Sequence, residues 1–312
     1  MDNLQKNVLL KNYTTYKIGG PAKYFFIAKS KEDLLEAIKS ARKLRLPVFI
    51  LGGGSNILFS DKGFGGVVIK TNFSDINIVD DKIYIGAGFS LTKLAYLSAD
   101  RGLSGLEWAA GVPGATIGGA IYGHAQAFGV KISNVLESVE TLNCKTLKFR
   151  SFSKEQCQFS LKNSVFKKKK NLIIISAVLK FDKKQPEEIR SIIKKYLHYR
   201  KTRHPMNFPS AGSTFVNPEI IVKNKKLLEK YPELVEFNKK GTIASGYLIE
   251  KCGLSGKKIG QAQISEKHAN FIVNLGGAKA KDVLTLIKLA HQKVKKTFNI
   301  NLETEVQIIK YR

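Results

Sequence analysis

The sequence has few of the features that mark secreted, membrane-spanning or metal-stabilised proteins. Its 312 residues include only three cysteines, which are scattered and form no C-x-x-C pair. This spacing indicates neither a disulfide framework nor a zinc site, so no metal is expected. No uninterrupted apolar run reaches the roughly 18 residues that a membrane-spanning helix needs. The N-terminal "MDNLQKNVLLKNYTT" lacks the basic start and apolar run of a signal peptide, so we expect a cytoplasmic protein without membrane insertion.

Acidic residues are also scarce. The chain has 52 lysines and arginines against 25 aspartates and glutamates, for a formal net charge of +27. Such a balance suits a nucleic-acid partner only when the cations are clustered, because binding depends on neutralising adjacent phosphates. The basic residues are instead spread along the whole chain, so no specific nucleic-acid partner is expected. Two interpretations stay open: a solvated lysine-rich surface, and a positive field that attracts phosphorylated small molecules.

No internal repeat or low-complexity linker divides the chain, and local patterns predict its elements. Ser30 and Asp33 form a capping signal before a helix over "LLEAIKSARKL", and "VFILGGGSNILF" predicts a strand, a glycine turn and a strand. With the strand "KYFFIAKS", this gives a β-α-β start. From about residue 200 a second unit follows, with strands over "STFVN", "ANFIVN" and "NLETEVQII" and helices near "SGYLIEKCG" and over "AKDVLTLIKLAHQKVKKTF".

Three glycine-rich stretches are candidates for holding a phosphate group. "YIGAGFSLTKLA" offers G-x-G between a strand and a helix, but it has Leu91 where the dinucleotide fingerprint needs a third glycine. "LGGGSNILF" can aim several backbone N–H groups into one concavity, although a tight β-β connection explains it equally well. The stretch 104–129 is too long for a turn and too glycine-rich for a stable helix. It favours a backbone that passes close to a flat, extended ligand.

Six segments resemble the UDP-N-acetylenolpyruvoylglucosamine reductase (MurB) family in order and spacing. They are "NYTTYKIGGPAKYFF", "LGGGSNIL", "LSGLEWAAGVPG", "PSAGSTFVNP", "SGYLIEKCGLSGKKIGQAQISEKHANFIVN" and "LETEVQII". The resemblance covers nearly the whole chain, and the spacing is similar to that of the shorter family type. It implies an α+β fold: an FAD-binding domain of the vanillyl-alcohol-oxidase (PCMH) type over 1–199, with lobes at about 1–70 and 71–199, and a smaller α+β substrate-binding domain over 200–312.

The resemblance also implies a reaction and its cofactors. Members of the family reduce UDP-N-acetylglucosamine enolpyruvate to UDP-N-acetylmuramate in peptidoglycan precursor synthesis, with NADPH as co-substrate and non-covalent FAD. Hydride from flavin N5 adds to C3 of the enolpyruvyl group, and a proton is then added to C2. We therefore expect a monomeric oxidoreductase whose ligands are this UDP-sugar, NADPH and FAD.

Three residues match catalytic positions of the family. Ser213 matches the general acid that protonates C2, and a serine can serve because an enolate is a stronger base than the resulting alkoxide. Glu305 matches a glutamate that donates a hydrogen bond to the enolate. Glu303 would share its face on one strand, so only the motif chooses between them. Lys162 and Leu161 stand where the family has arginine and tyrosine; lysine keeps the charge but loses the bidentate fork, which predicts slower turnover.

The remaining site residues also come from the resemblance. Flavin contacts are expected at Gly52, Gly53, Gly54, Ser55, Asn56, Gly111, Gly114, Gly118 and Gly119. The loop 114–126 departs from the family by one extra residue, and by His124 and Gln126 where asparagine and glycine are usual. Substrate contacts are expected at Arg200, Lys201, Arg203, Asn217 and Gln263. The alternative for the three basic residues is a solvated face, and for Gln263 a role in organising its own loop.

Other functions stay open from the sequence. A flavin oxidase acting on an alcohol or sugar would give Ser213 and Glu305 no joint role, and a nucleic-acid-binding protein would lack a recognition motif. A flavoprotein that has lost its chemistry would follow if Lys162 cannot replace the arginine. A further alternative is that His124 attaches the flavin covalently, although members of the family bind it without a covalent bond.

Overall fold

A computed structural model describes residues 4–311. The first elements in chain order are β1 (Gln5–Leu9), a 3-10 helix (Leu10–Tyr13), β2 (Pro21–Ala28), α1 (Lys31–Lys43), β3 (Val48–Leu51), β4 (Ile57–Phe59) and β5 (Phe64–Thr71). Four of the strands form a sheet in the order β1-β2-β5-β3, in which β2, β5 and β3 are parallel and β1 is antiparallel to β2. The predicted β-α-β start is therefore confirmed.

Helix α1 begins where the sequence predicts it. The Ser30 hydroxyl accepts a hydrogen bond from the Asp33 N–H at 3.1 Å, and the Asp33 carboxylate accepts from the Ser30 N–H at 3.2 Å. This capping box satisfies N–H groups that have no partner inside the helix. The apolar residues on its inner face pack on β2 and β5; they are Leu34, Ala37, Ile38 and Ala41.

The middle of the chain forms a second, antiparallel sheet. Its elements are β6 (Ile76–Val79), β7 (Lys82–Gly86), α2 (Leu91–Asp100), β8 (Leu103–Ser104), a 3-10 helix (Glu107–Gly111), α3 (Ile117–Tyr122), β9 (Gln126–Ala127), β10 (Val130–Lys131), 3-10 helices (Ile132–Asn134 and Glu155–Cys157), β11 (Leu136–Asn143), β12 (Phe149–Ser153), α4 (Val165–Lys168), β13 (Leu172–Lys180), β14 (Asp182–Lys183) and α5 (Pro186–Arg203). The sheet order is β12-β11-β13-β7-β6. One apolar core joins it to the first sheet, through residues such as Ile69, Trp108 and Leu179.

The last third of the chain builds most of another core, to which Tyr16, Ile18 and Leu58 also contribute. Its elements are β15 (Ser210–Ser213), β16 (Phe215–Val216), α6 (Lys225–Lys230), α7 (Glu233–Lys240), α8 (Ser245–Lys251), β17 (Lys258–Ile259), β18 (Ala262–Ile264), β19 (Phe271–Asn274), α9 (Ala280–Phe298), β20 (Glu303–Thr304) and β21 (Gln307–Ile309). The sheet order is β15-β19-β18-β17. Helix α9 packs on this sheet. No helix within residues 4–311 is both long and apolar enough to cross a membrane.

Two strands that the sequence predicts as continuous are each broken in two. "STFVN" breaks at Thr214, whose N–H donates to Asn270 as the chain changes partner from β19 to β20. "NLETEVQII" breaks at Glu305: β20 pairs with β16, whereas β21 runs parallel to β4 in the first part of the chain. The expectation that Glu303 and Glu305 share one face of one strand was therefore wrong. Glu303 is exposed, and Glu305 is half-buried at the break.

Candidate active site

The turn between β3 and β4 presents a row of backbone donors. Within residues 4–311, no protein acceptor takes a hydrogen bond from the N–H groups of Gly52, Gly53, Gly54, Ser55 and Asn56. The turn needs glycine for two reasons: Gly54 has a φ of +69°, and a Cβ on Gly53 would lie 1.6 Å from the Gly114 carbonyl oxygen. Because such donors attract negative charge, this turn fits a ligand diphosphate.

The glycine loop 104–129 lies against this turn, and the two stretches together form one wall of the candidate cofactor cleft. The Thr116 hydroxyl caps α3 by accepting from the Gly119 N–H at 3.4 Å. A Cβ on Gly52 would lie 2.7 Å from the same hydroxyl oxygen. The two glycine stretches are therefore in direct contact, and the wall they share is made of backbone and one small side chain.

Two of the expected flavin contacts are packed against protein. A Cβ on Gly111 would lie 2.5 Å from Cδ of Arg200, and one on Gly118 would lie 2.8 Å from the Ala87 Cβ. These positions need glycine because helix α5 and the strand-to-helix connection after β7 come so close. The cleft itself fits FAD, because it combines donors that lack protein partners with walls that side chains would fill.

Lys70, which the sequence analysis did not select, supports the glycine turn. This half-buried residue lies near the end of β5, and its ammonium donates to the Gly52 carbonyl at 3.1 Å. Burial lowers the pKa of Lys70. A peptide's C=O and N–H point in opposite directions, so this bond orients the Gly53 N–H away from the lysine. A single charge after the apolar run "GVVI" was the sequence signal for an unusual strand residue.

Glu305 and Lys162 form an ion pair between distant parts of the chain. The Lys162 Nζ lies 2.8 Å from the Glu305 Oε1, and the two side chains are 21% and 17% exposed. Lys162 comes from the loop before α4, and Glu305 from the break between β20 and β21. The structure therefore brings together two of the three residues predicted to be catalytic.

Hydrogen bonds to its backbone connect Glu305 to the glycine turn and to the end of β15. Its N–H donates to the Thr214 carbonyl at 2.8 Å. The Asn56 side-chain amide donates to the Glu305 carbonyl at 3.2 Å, and the Gln307 N–H donates to the Asn56 carbonyl at 3.0 Å. Ser213, the third predicted catalytic residue, directly precedes Thr214 at the end of β15 and so lies one residue from this backbone contact of Glu305. Its side chain is half-buried.

Arg200 is half-buried in the last turn of α5, next to the glycine loop. Its guanidinium lies 5.4 Å from the centre of the Phe128 ring, and its Nε is buried without a partner in the described residues. Burial lowers the pKa of Arg200. A buried donor without an acceptor is costly, which favours an anionic ligand here. Lys201 and Arg203 share this turn and are exposed.

The two other predicted substrate residues already have protein partners. The Asn217 side-chain oxygen accepts from the Ser245 N–H at 3.0 Å, at the start of α8. The Gln263 amide donates to the Gly256 carbonyl at 3.1 Å within the β17–β18 hairpin. Within the described residues the Asn217 NH2 group has no protein acceptor and is available to a ligand. The Gln263 amide already donates to its own hairpin. Their substrate contacts stay predictions.

His204 is a second residue that the sequence analysis did not select. It follows α5, and its Nδ1 is buried without a partner within residues 4–311. Burial, followed by the charges of Arg200, His268 and Lys267, lowers the pKa of His204 to about 4. The imidazole is thus neutral at neutral pH and leaves one buried polar atom beside Arg200. The run of basic residues in "YRKTRHP" was the available signal.

Comparisons with known proteins agree with this architecture. The model of a family described as "FAD binding domain" matches residues 22–146, and that of the C-terminal domain of UDP-N-acetylenolpyruvoylglucosamine reductase matches residues 204–309. The reductase of that name from Anoxybacillus flavithermus is 39% identical over 98% of this chain and 94% of its own length. The one from Clostridium tetani is 37% identical over 99% of this chain and 92% of its own length.

A solved structure shows the same fold over nearly the entire chain. The crystal structure of UDP-N-acetylenolpyruvylglucosamine reductase (MurB) from Thermus caldophilus superposes with a TM-score of 0.78 at 32% identity, covering 98% of this chain and 99% of that one. The predicted α+β fold class is confirmed: an FAD-binding domain is followed by a smaller α+β domain. On these matches, the chain belongs to the UDP-N-acetylenolpyruvoylglucosamine reductase family.

Proposed function

We propose that this chain reduces UDP-N-acetylglucosamine enolpyruvate to UDP-N-acetylmuramate with NADPH, in peptidoglycan precursor synthesis. The full-length family match gives the reaction class. The observation that carries the proposal is the Lys162–Glu305 pair. Hydrogen bonds connect Glu305 to the Asn56 side chain in the glycine turn and to the Thr214 carbonyl beside Ser213. A cofactor cleft and a set of proton-transfer and charge-stabilising groups thereby meet at one place.

The glycine turn and the glycine loop would hold FAD without a covalent bond. The N–H groups of residues 52–56 would bind its diphosphate, and the backbone at Gly114 and Gly119 would line the flavin. Gly111 and Gly118 would act by allowing the wall to pack closely. When bound, FAD takes two electrons from NADPH and delivers a hydride to the substrate. Both ring nitrogens of His124 have protein partners, which supports non-covalent binding.

Lys162 and Glu305 would handle the negative charge that develops on the substrate. A carboxylate that pairs with an ammonium accepts hydrogen bonds and cannot donate one. The substrate's own carboxylate would compete for Lys162 and draw the ammonium from Glu305 toward the enolpyruvyl group. The family resemblance gives Glu305 a hydrogen bond to the enolate. This role needs the protonated carboxyl group, and so a proton taken up from solvent as the ammonium moves to the substrate.

Ser213 would donate the proton that completes the product. After hydride addition at C3, the electron pair at C2 takes the proton of the Ser213 hydroxyl, and the resulting alkoxide recovers a proton from water. A positioned general acid typically contributes a factor of about 10² to 10⁴. The position of Ser213 at the end of β15, next to the residue that binds the Glu305 N–H, supports this role.

The cations at the end of α5 would bind the UDP group. Arg200 has a buried Nε that lacks a partner in the described range, and Lys201 and Arg203 add charge on the same turn. Convergent cations suit a diphosphate. Asn217 would use its free NH2 group, and Gln263 would act from the neighbouring hairpin. The neutral His204 offers one more polar atom at this end of the cleft.

The organisation that we propose has FAD-binding lobes at about 1–70 and 71–199 and a substrate-binding domain over 200–312. Largely separate cores support the boundary near residue 200, although α5 runs unbroken across it and the two lobes share one core. The switch would therefore come at the end of that helix, where the C-terminal family match begins at residue 204. A cytoplasmic monomer fits a nucleotide-linked substrate, NADPH and three free cysteines.

A direct assay tests this function. Purified protein is expected to carry FAD and to oxidise NADPH only when the enolpyruvyl substrate is present. Under anaerobic conditions, flavin reduced by NADPH should be reoxidised rapidly by the substrate in the wild type and about 10³-fold more slowly in Ser213→Ala. Ser151→Ala, on the exposed face of β12, is the matched control and should behave as wild type. Reduced flavin that persists in wild type with substrate would refute the proposal.

A further inference from the structure

His124 is buried at a position where a histidine is unusual. It is 4% exposed, lies two residues after the end of α3, and has a left-handed φ of +46°. Left-handed backbone is unfavourable for residues other than glycine, although histidine tolerates it better than most. The surrounding structure must therefore offset this cost through the contacts of the side chain.

Every polar atom of the imidazole has a protein partner. Nδ1 lies 2.6 Å from the carbonyl oxygen of Ser160, and Nε2 lies 2.8 Å from the Ser133 hydroxyl. The ring also stacks on Phe159 with 4.5 Å between centroids and 24° between planes. Because a carbonyl only accepts, Nδ1 must carry the proton, and Nε2 then accepts from Ser133. A neutral imidazole thus satisfies both contacts without leaving a donor or acceptor free.

The neutral form is also the one that the surroundings favour. Burial lowers the pKa of His124, and the nearby cations Lys131 and Lys162 lower it further, against an opposing effect of the bond to Ser160. These two lysines are the charged groups that act on the ring. The bonding pattern therefore holds at neutral pH.

The Ser160 carbonyl that His124 binds is at the base of the turn carrying Lys162. Ser160 and Asn163 exchange two backbone hydrogen bonds of 3.1 Å, which closes a tight turn over Leu161 and Lys162. Lys162 itself has a left-handed φ of +52°. Its carbonyl accepts from the Lys167 ammonium at 3.0 Å. The turn is therefore held at its base by His124 and at its tip by Lys167.

These contacts form a continuous connection from the glycine loop to the ion pair. His124 belongs to the wall of the cofactor cleft, the turn 160–163 follows it in space, and the Lys162 ammonium ends 2.8 Å from Glu305. A lysine side chain has many rotamers, and only some of them bring the ammonium to Glu305 from a given backbone position. If the turn were displaced, the side chain would have to change rotamer to keep the 2.8 Å contact.

We infer that His124 is a positioning residue for Lys162: it fixes the 160–163 turn against the glycine loop, so that the ammonium faces Glu305 and the reacting end of the substrate. The effect on turnover rests on the proposed function. The effect on the location of the ammonium does not.

A double-mutant cycle tests the kinetic part. His124→Phe keeps a flat ring against Phe159 but removes both hydrogen bonds, and we expect it to lower kcat/KM about tenfold with FAD content unchanged. In a Lys162→Met background, the same change should have an effect of less than about twofold, since the residue it positions is gone. His198→Phe, on the exposed face of α5, is the matched control. Multiplicative losses in the double variant would overturn the inference.

A conservative variant and a chemical readout keep the test independent of turnover. His124→Asn tolerates left-handed backbone and can donate its amide to a carbonyl, so it should recover most of the activity lost in His124→Phe. Amine acetylation followed by mass spectrometry should show severalfold faster modification of Lys162 in His124→Phe than in wild type. Equal reactivity of Lys162 in the two proteins would contradict the inference. Inactive wild type would instead refute the proposed function and leave the acetylation result valid.

Discussion

Substituting Gly53 with alanine would push a methyl group into the adjoining glycine loop at the candidate cofactor site. The added Cβ would lie 1.6 Å from the Gly114 carbonyl oxygen, and a backbone oxygen cannot rotate away as a side chain can. Carbon and oxygen atoms that are not bonded stay about 3 Å apart or more, so the two loops would separate by roughly 1.4 Å. We expect FAD affinity to fall about 100-fold, because losing one hydrogen bond to the charged diphosphate costs about 1.5–3 kcal/mol.

Titration of the apoprotein with FAD, followed by flavin fluorescence, measures this effect. The control is Gly129→Ala in the β9–β10 turn, where φ is +80° and nothing lies within 4 Å of the added Cβ. That variant carries backbone strain of about 1 kcal/mol without crowding, so its FAD affinity should stay near the wild-type value. Circular dichroism checks that both variants fold. Wild-type affinity in a folded Gly53→Ala would refute the placement of the cofactor at this turn.

Three further predictions concern single charged or titratable groups. Lys70→Met should lower FAD affinity about tenfold by releasing the Gly52 carbonyl, while the affinity for riboflavin, which lacks phosphate, should not change in the same titration; an equal loss for both flavins would argue against a role at the diphosphate. Lys162→Arg should raise kcat/KM severalfold in the NADPH assay because guanidinium binds a carboxylate through two bonds, and a decrease would mean that the turn fits only an ammonium. Folding lowers the pKa of His204 from 6.5 to about 4, so its contribution to the free energy of unfolding is fully present above pH 6.5 and is lost as the pH falls toward 4. In urea denaturation between these pH values, the free energy of unfolding should fall by up to about 3 kcal/mol more for the wild type than for His204→Gln. Parallel pH profiles of the two proteins would contradict this.

Local sequence signals predicted the parts of the fold that depend on local chemistry. Ser30 and Asp33 predict the start of α1, because a capping box is formed by two residues that are three positions apart in the sequence. The glycine turn 52–56 was recognisable because few residues besides glycine allow such an approach of two backbones. The family resemblance then added residues that no local pattern selects, among them Ser213.

The parts that could not be predicted depend on contacts between distant segments. The alternation of residues along "NLETEVQII" indicates a strand, but it does not show which strands will pair with it. In the structure the pairing changes from β16 to β4, and Glu305 lies at the resulting break. The ion pair of Lys162 with Glu305 and the role of Lys70 beneath Gly52 likewise need the tertiary structure. His124 was recognised as a departure from the family, but its contact with Ser160 was visible only in three dimensions.

The parallel pairing of β21 with β4 has a consequence for biosynthesis. The strand after the glycine turn stays without this neighbour until Gln307–Ile309 has been made, and the Asn56–Glu305 and Asn56–Gln307 hydrogen bonds form only then. During translation the cofactor lobe can therefore collapse around its own core before its cleft is complete. A chain that ended before Glu305 would therefore lack both this carboxylate and the strand that pairs with β4.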